Sequence, residues 1–294
     1  MIELGNPIFL VDVFAEAKLE GNQLAVVVEG QGWSAEKMQK FAKEMNFSET
    51  TFITGSDIDK RVFKVRIFTP VGELPFAGHP TLGTAFVAAK ELLKKEVSDL
   101  TLDMKAGMIP VTFQKAADGQ QLLWMKQLNP EFGAIHVAEE IAPMFHLNPG
   151  DIDTRFPIQE VSTGVWFYMI PLKTREALKR IKLDTESFKA YSADKKAKWP
   201  LLFCAEPEAK GNHLKARMIT DWTEDPATGS ANGCLAGYLV KHSYFGNQKI
   251  DIRVEQGAEI GRPSILYLRA EEVKGGIDVR VGGKVAMVAR GELA

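Results

Sequence analysis

Glu49, His79, Asp225 and Ser230 are the side chains best placed for proton chemistry on a small acidic metabolite. Glu49 stands in FSETTFI, flanked by apolar residues, where burial would favour a protonated carboxyl fit for general acid/base work. The plainer alternative is a surface glutamate at a helix end. His79 lies in the turn Ala77-Gly78-His79-Pro80, where an imidazole can orient a substrate, relay a proton or simply cap a helix. Asp225, just before Pro226, suits an ammonium-binding group, a partner for His79 across a cleft, or an ordinary turn carboxylate. Ser230 adds a hydroxyl to a second turn, Thr228-Gly229-Ser230-Ala231. In both turns a glycine, Gly78 or Gly229, admits close backbone approach at a helix start. Unpaired amides and a partial positive charge there make a site for a carboxylate or an oxyanion.

The two turns belong to one repeat. KVRIFTPVGELPFAGHP, from Lys64 to Pro80, aligns without a gap on KARMITDWTEDPATGSA, from Lys215 to Ala231, at an offset of 151. Six of the seventeen positions are identical: Lys64/Lys215, Arg66/Arg217, Thr69/Thr220, Glu73/Glu224, Pro75/Pro226 and Gly78/Gly229. A repeat spaced at half the chain length implies two related lobes, with a ligand cleft where equivalent turns face each other. At the same offset Glu49 falls opposite Pro200, so the halves agree in their turns and differ in this acid.

The elements that must position these residues are legible from pattern. Ile8 to Phe14, Ala25 to Val28, Thr50 to Thr54 and Val62 to Phe68 read as strands. Ser34 caps a helix carrying Met38, Phe41, Ala42 and Met45 at helical spacing. Pro80 to Leu93 and Ala231 to Val240 are helices apolar on nearly every side, which implies burial on every side. Gly83, Gly233 and Gly237 weaken such helices by about 1 kcal/mol each, so close approach of neighbouring strands is expected. Gln127 to Gly133 reads as a linker, and Glu139–Phe145 and Thr174–Lys182 as helices. These features predict an α+β fold of two similar lobes, each a curved, mostly antiparallel sheet wrapped around a central helix. The N-terminal lobe spans 1–126, with a strand at about 284–294 returning to it, and the C-terminal lobe spans 127–283.

Bulk properties narrow the function classes. The chain has 294 residues, 45% of them hydrophobic and 25% charged, and a net charge of −2, with no basic face for nucleic acid. The start, MIELGNPIFLVDVF, reads as a strand and not a signal peptide, and no apolar run approaches a membrane span. Two cysteines, Cys204 and Cys234, form no CxxC, so a cytoplasmic setting is expected. Five histidines and two cysteines show no metal-ligand spacing, and neither a P-loop nor a Rossmann glycine pattern is present.

VDVFAEAKLEGNQLAVV, MNFSETTFI, RIFTPVGELPFAGHPTLGTA, EDPATGSANG and QGAEIGRPS (Gln256 to Ser264) together resemble the PhzF-like family of phenazine-biosynthesis isomerases. The resemblance implies the diaminopimelate-epimerase-like fold, in which each lobe is a mostly antiparallel β-barrel around a central helix, with the active site between the lobes. It implies Glu49 as acid/base, with His79 and Asp225 completing the catalytic set and Gly78, Gly229 and Ser230 binding a small carboxylate substrate. It further implies proton transfer between carbons without metal or organic cofactor, as in trans-2,3-dihydro-3-hydroxyanthranilate isomerisation, and a homodimer. Related epimerases carry a cysteine immediately before each turn glycine. Here those positions are Ala77 and Thr228, which excludes a two-thiol racemisation. Relatives also carry a longer segment with a Phe-x-Pro pattern where this chain has Arg217 to Thr223, so the shorter stretch sets Trp222 beside the cleft and separates substrate identity from family. The rival expectation is a non-catalytic metabolite-binding or interaction protein on the same scaffold.

Overall fold

The computed structural model describes residues 5–116, 118–220 and 223–293. The reading of Trp222, and that of the first four residues as strand, lie outside them. The chain divides into two compact units, Met1–Lys126 with Gly282–Ala294, and Gln127–Val281.

The first unit opens with β1 (Pro7–Val13) and β2 (Asn22–Val27), paired antiparallel. A helix, α1 (Ala35–Met45), crosses to β3 (Glu49–Asp57), which lies parallel to β2. The Ser34 hydroxyl accepts from the Lys37 amide, and Asn46 ends the helix in the left-handed region. Met38 and Ala42 of α1 pack on Val27, Phe52 and Phe68, with Trp33 and Phe41 at the margin. β4 (Val62–Phe68) and the short β5 (Glu73–Leu74) form a hairpin beside β3. Then α2 (Gly78–Val87) crosses to β6 (Asp99–Met104), parallel to β4. Strands β7 (Gly107–Lys115) and β8 (Gln121–Lys126) continue antiparallel. The strand Val285–Glu292 pairs with the outer side of β1. Both parallel pairs need long crossovers, and α1 and α2 supply them.

All ten residues of α2 are buried, and the helix touches strands β1, β2, β3, β6, β7 and β8. An apolar helix without a polar face has nowhere else to go. Gly83 permits its closest approach: a Cβ there would lie 2.5 Å from Leu24 Cδ2 and 2.8 Å from Val13 Cγ2. Thr84 Oγ1 and Thr51 Oγ1, 2.8 Å apart and both buried, tie the same helix to β3.

The second unit repeats this order. β9 (Glu131–His136) flanks β10 (Ile158–Ser162), which pairs antiparallel with β11 (Trp166–Pro171). The helices α3 (Ala138–Ile141), α4 (Arg175–Lys179) and α5 (Thr185–Ser192) form an outer layer on Tyr168, Phe145 and Phe188. β12 (Trp199–Cys204) runs parallel to β11, and β13 (Leu214–Ile219) makes a hairpin with β14 (Glu224–Asp225). α6 (Gly229–Lys241) crosses to β15 (Lys249–Gln256), parallel to β13, and β16 (Ser264–Val273) follows antiparallel.

Three expectations are corrected. The stretch taken as a linker enters β9 at Glu131; its outward-facing, weakly alternating EFGAIH gives little strand signal. α5 was not expected, since Phe188 and Tyr191 alone give too short a period; Asp184 caps it by accepting from the Ser187 amide. The glycines of α6 are met most closely by loop residues: Gly237 by Pro130, with Val279 of the strand Gly276–Gly283 at 4.0 Å, and Gly233 by Gln127 and Thr163.

Replacing Gly83 by Ala should destabilise the protein by about 1–3 kcal/mol, although alanine is the better helix former by about 1 kcal/mol. Urea denaturation of Gly83→Ala against Gly72→Ala, whose added methyl would meet nothing within 4 Å, checks this. Equal midpoints would remove close approach as the reason for Gly83.

Candidate active site

The repeated residues build the same turn twice. In the first copy Arg66 donates a fork to Glu73, Nε to Oε1 at 2.7 Å and Nη2 to Oε2 at 3.0 Å. That fork holds β5 against β4 and keeps the Glu73 carboxyl below its ordinary range. Thr69 closes the hairpin: its amide and hydroxyl both donate to the Gly72 carbonyl, while its oxygen accepts from the Gly72 amide. In the second copy Arg217 makes the same fork to Glu224 at 2.9 and 2.7 Å, and Thr220 closes on Thr223. Arg217 also donates to the carbonyls of Leu178 and Lys179 at the end of α4, and this pair is far more buried than the first. The shared lysine is used differently, since Lys64 is exposed while Lys215 is buried between Glu208 and Glu259.

Each hairpin delivers the chain into a buried helix that begins at the repeated glycine, Gly78 in α2 and Gly229 in α6. Neither N-cap residue, Ala77 or Thr228, caps its helix with its own side chain. A helix start of this kind carries backbone amide donors and a partial positive charge.

Glu49 is the first residue of β3, paired with Leu24 of the parallel neighbour. His79 is the second residue of α2 and is 5% exposed. The seating of α2 through Gly83, one turn further along, sets His79 Nε2 3.3 Å from Glu49 Oε2. That separation is a close contact short of a well-aligned hydrogen bond. Burial pushes the His79 imidazole down to about 3, against a smaller opposing effect from its hydrogen bond to the Gln23 backbone. The ring is therefore neutral, and Nε2 offers a lone pair to the carboxyl. Gln23 and the Thr51–Thr84 pair escaped the sequence reading, because nothing in their types marks them as supports.

In the second unit Asp225 closes β14, and its Oδ2 accepts from the Thr228 hydroxyl at 2.6 Å. Thr228 holds the position before Gly229, as Ala77 does before Gly78, and Ser230 is half-buried on the first turn of α6. The expected residues thus form two groups, Glu49, Gly78 and His79 in one unit and Asp225, Gly229 and Ser230 in the other. Cys204 and Cys234 lie in β12 and inside α6, away from both turns, and burial pushes their thiols up to about 11 and about 12. Among the described residues no cluster of three potential metal ligands occurs, and no helix is long and apolar enough to cross a membrane.

Residues 11–291 match the family model described as phenazine biosynthesis-like protein. A trans-2,3-dihydro-3-hydroxyanthranilate isomerase of Pseudomonas aeruginosa is 34% identical over 288 residues, covering 96% of this chain and 97% of that protein. The crystal structure of a Bacillus anthracis phenazine biosynthesis protein of the PhzF family superposes with a TM-score of 0.90 at 26% identity, covering 98% of this chain and 99% of that one. A probable proline racemase from Agrobacterium radiobacter shares the fold alone, with a TM-score of 0.62 at 9% identity over 98% of this chain and 93% of that one.

Two outcomes test this geometry. Arg217→Met leaves a buried carboxylate unpaired and should destabilise by about 3–5 kcal/mol, whereas the more exposed Arg66→Met should lose about 1 kcal/mol or less. Chemical denaturation of the two variants distinguishes them, and equal losses would contradict the assignment. For His79 the unfolded chain binds the proton first on acidification, so its contribution to stability is complete above about 6.5 and is lost as pH falls toward about 3. Between pH 6.5 and 4.5 the wild type should lose about 2 kcal/mol more than His79→Asn. Parallel stability profiles would show that the ring is not held neutral.

Proposed function

We propose that this chain, which belongs to the phenazine biosynthesis-like protein family and is an isomerase, moves a proton between carbons of a small carboxylate-bearing metabolite. Glu49 is the general acid/base of this reading. The observation that carries it is the contact at 3.3 Å between Glu49 and a histidine that burial keeps neutral.

The substrate carboxylate binds at the start of α2, where Ala77 offers no side-chain cap and the Gly78 and His79 amides serve as its donors. The Glu49 carboxylate takes a proton from one carbon, and the bonding pair moves into the adjoining unsaturated system. The same carboxyl then returns the proton to a second carbon, and the double bond shifts, so no oxidant or reductant enters. While Glu49 carries the proton, its O–H can donate to His79 Nε2, which stabilises the intermediate protonation state. A single acid/base delivers to the face from which it took the proton. In the second unit Asp225 is assigned to an ammonium group of the substrate, and the Gly229 amide and Ser230 hydroxyl to further polar groups.

A side-chain carboxyl suffices for this chemistry, so the reading invokes no organic cofactor. Racemisation by paired thiols lacks its reagents, because Ala77 and Thr228 precede the turn glycines and both cysteines are buried elsewhere.

Trans-2,3-dihydro-3-hydroxyanthranilate, named for the Pseudomonas aeruginosa relative, is the first probe. In deuterated water the product should gain solvent deuterium at the second carbon in the share of turnovers in which the protonated Glu49 exchanges before delivery, and Glu49→Gln should lower kcat by about 10²–10⁴. Full turnover by Glu49→Gln on any identified substrate would sink the mechanism.

A further inference from the structure

We propose that Gln256 is a positioning residue that fixes the hydrogen-bond direction from Thr228 onto the Asp225 carboxylate. The inference rests on reading the second turn as substrate-binding.

Gln256 ends β15 and is 1% exposed. Its amide is fully used. Nε2 donates to the Asp225 carbonyl at 2.8 Å and to Thr228 Oγ1 at 3.0 Å. Oε1 accepts from the Thr228 amide at 3.3 Å and from Asn232 Nδ2 at 2.9 Å. Reversing the amide would set donor against donor and oxygen against oxygen at these contacts, so its orientation is determined. Thr228 Oγ1 therefore receives a proton from Gln256 and sends its own to Asp225 Oδ2 at 2.6 Å. A threonine before a helix ordinarily turns its oxygen to the helix amides, yet Thr228 makes no such cap. Gln256 holds it in the other role.

The first unit shows that the turn folds without this network. Lys64 pairs with Asp103 as Lys215 pairs with Glu255, so the next residues, Met104 and Gln256, are equivalent. A contact on each helix agrees, since Thr81 Oγ1 approaches Met104 Sδ at 3.9 Å where Asn232 donates to Gln256. Asp225, Thr228 and Gln256 thus correspond to Leu74, Ala77 and Met104. All three positions are apolar in one copy and polar in the other, over the same hairpin and helix start. The polar trio is a unit added to a scaffold that stands without it. Gly257, with φ 78 and a Cβ site 2.5 Å from the Pro226 carbonyl oxygen, brings this strand end against the turn.

Gln256→Met installs the first unit's solution and should unfold cooperatively like the wild type. Its crystal structure should keep the backbone of 224–232 and lose the contact between Thr228 Oγ1 and Asp225 Oδ2. Retention of that contact overturns the proposal without reference to any substrate. On trans-2,3-dihydro-3-hydroxyanthranilate, Gln256→Met should lower kcat/KM about tenfold or more, and by less than about twofold when Asp225 is already Asn. Factors that multiply, or an unaffected Gln256→Met, refute the positioning role. Wild-type turnover of the probe is the control. Its absence removes the reading of the turn, whereas turnover with multiplying factors removes this inference alone.

Discussion

Everything in this protein follows from enclosing an apolar helix in a ring of strands. α2 has no polar face, and strands cover it from β1 round to β8. Such a helix communicates with ligand only at an end. Its N-cap residue, Ala77, has no side chain with which to cap the first amides, whose natural partner is a negative charge. The same enclosure sets the acid. Gly83 lets α2 press on Leu24 and Val13, Thr84 fastens it to Thr51, and these contacts deliver His79 to Glu49. Burial then removes the charge of the imidazole while leaving a ring nitrogen to accept, as the proposed acid/base role requires.

The two units divide their residues into those that make the turn and those that use it. Arg66 and Glu73, like Arg217 and Glu224, hold a hairpin by a bidentate fork, and a threonine closes each loop. These positions are identical because the backbone requires them. Positions beyond them are released from that duty, and there the copies diverge. Leu74 corresponds to Asp225, Ala77 to Thr228, and Met104 to Gln256. A forked ion pair specifies geometry well even where its net stabilisation is modest.

Much of this was legible in the sequence, for physical reasons that differ by element. Ser34 announced a helix because a cap and an apolar period agree at one place. The burial of α2 and α6 followed from apolar residues on every side. Glu131 to His136 and α5 were not legible, since an outward-facing edge strand and a helix with two apolar residues leave almost no periodic signal. At the site, the two turns showed through their repetition, and Glu49 through its apolar flanks, while its proposed place as the acid/base drew on resemblance as well. The supports stayed hidden. Thr51 meets Thr84 across 33 positions, and Gln256 reaches Thr228 from 28 positions away, so their meaning exists only in three dimensions.

The pairing of β1 with Val285–Glu292 also governs the order in which the protein can be made. Pro7 opposes Glu292 and Val13 opposes Val285, so an early strand waits for one synthesised some 280 residues later. On the ribosome the first unit emerges with one side of β1 uncovered, while the second unit, continuous from Gln127 to Val281, has all its own strands before that partner appears. Loop closure over so long a span is slow, and an uncovered strand edge invites wrong partners in the interval. Translation thus runs from first residue to last, while completion runs the other way, with the unit that carries Glu49 and His79 closing last.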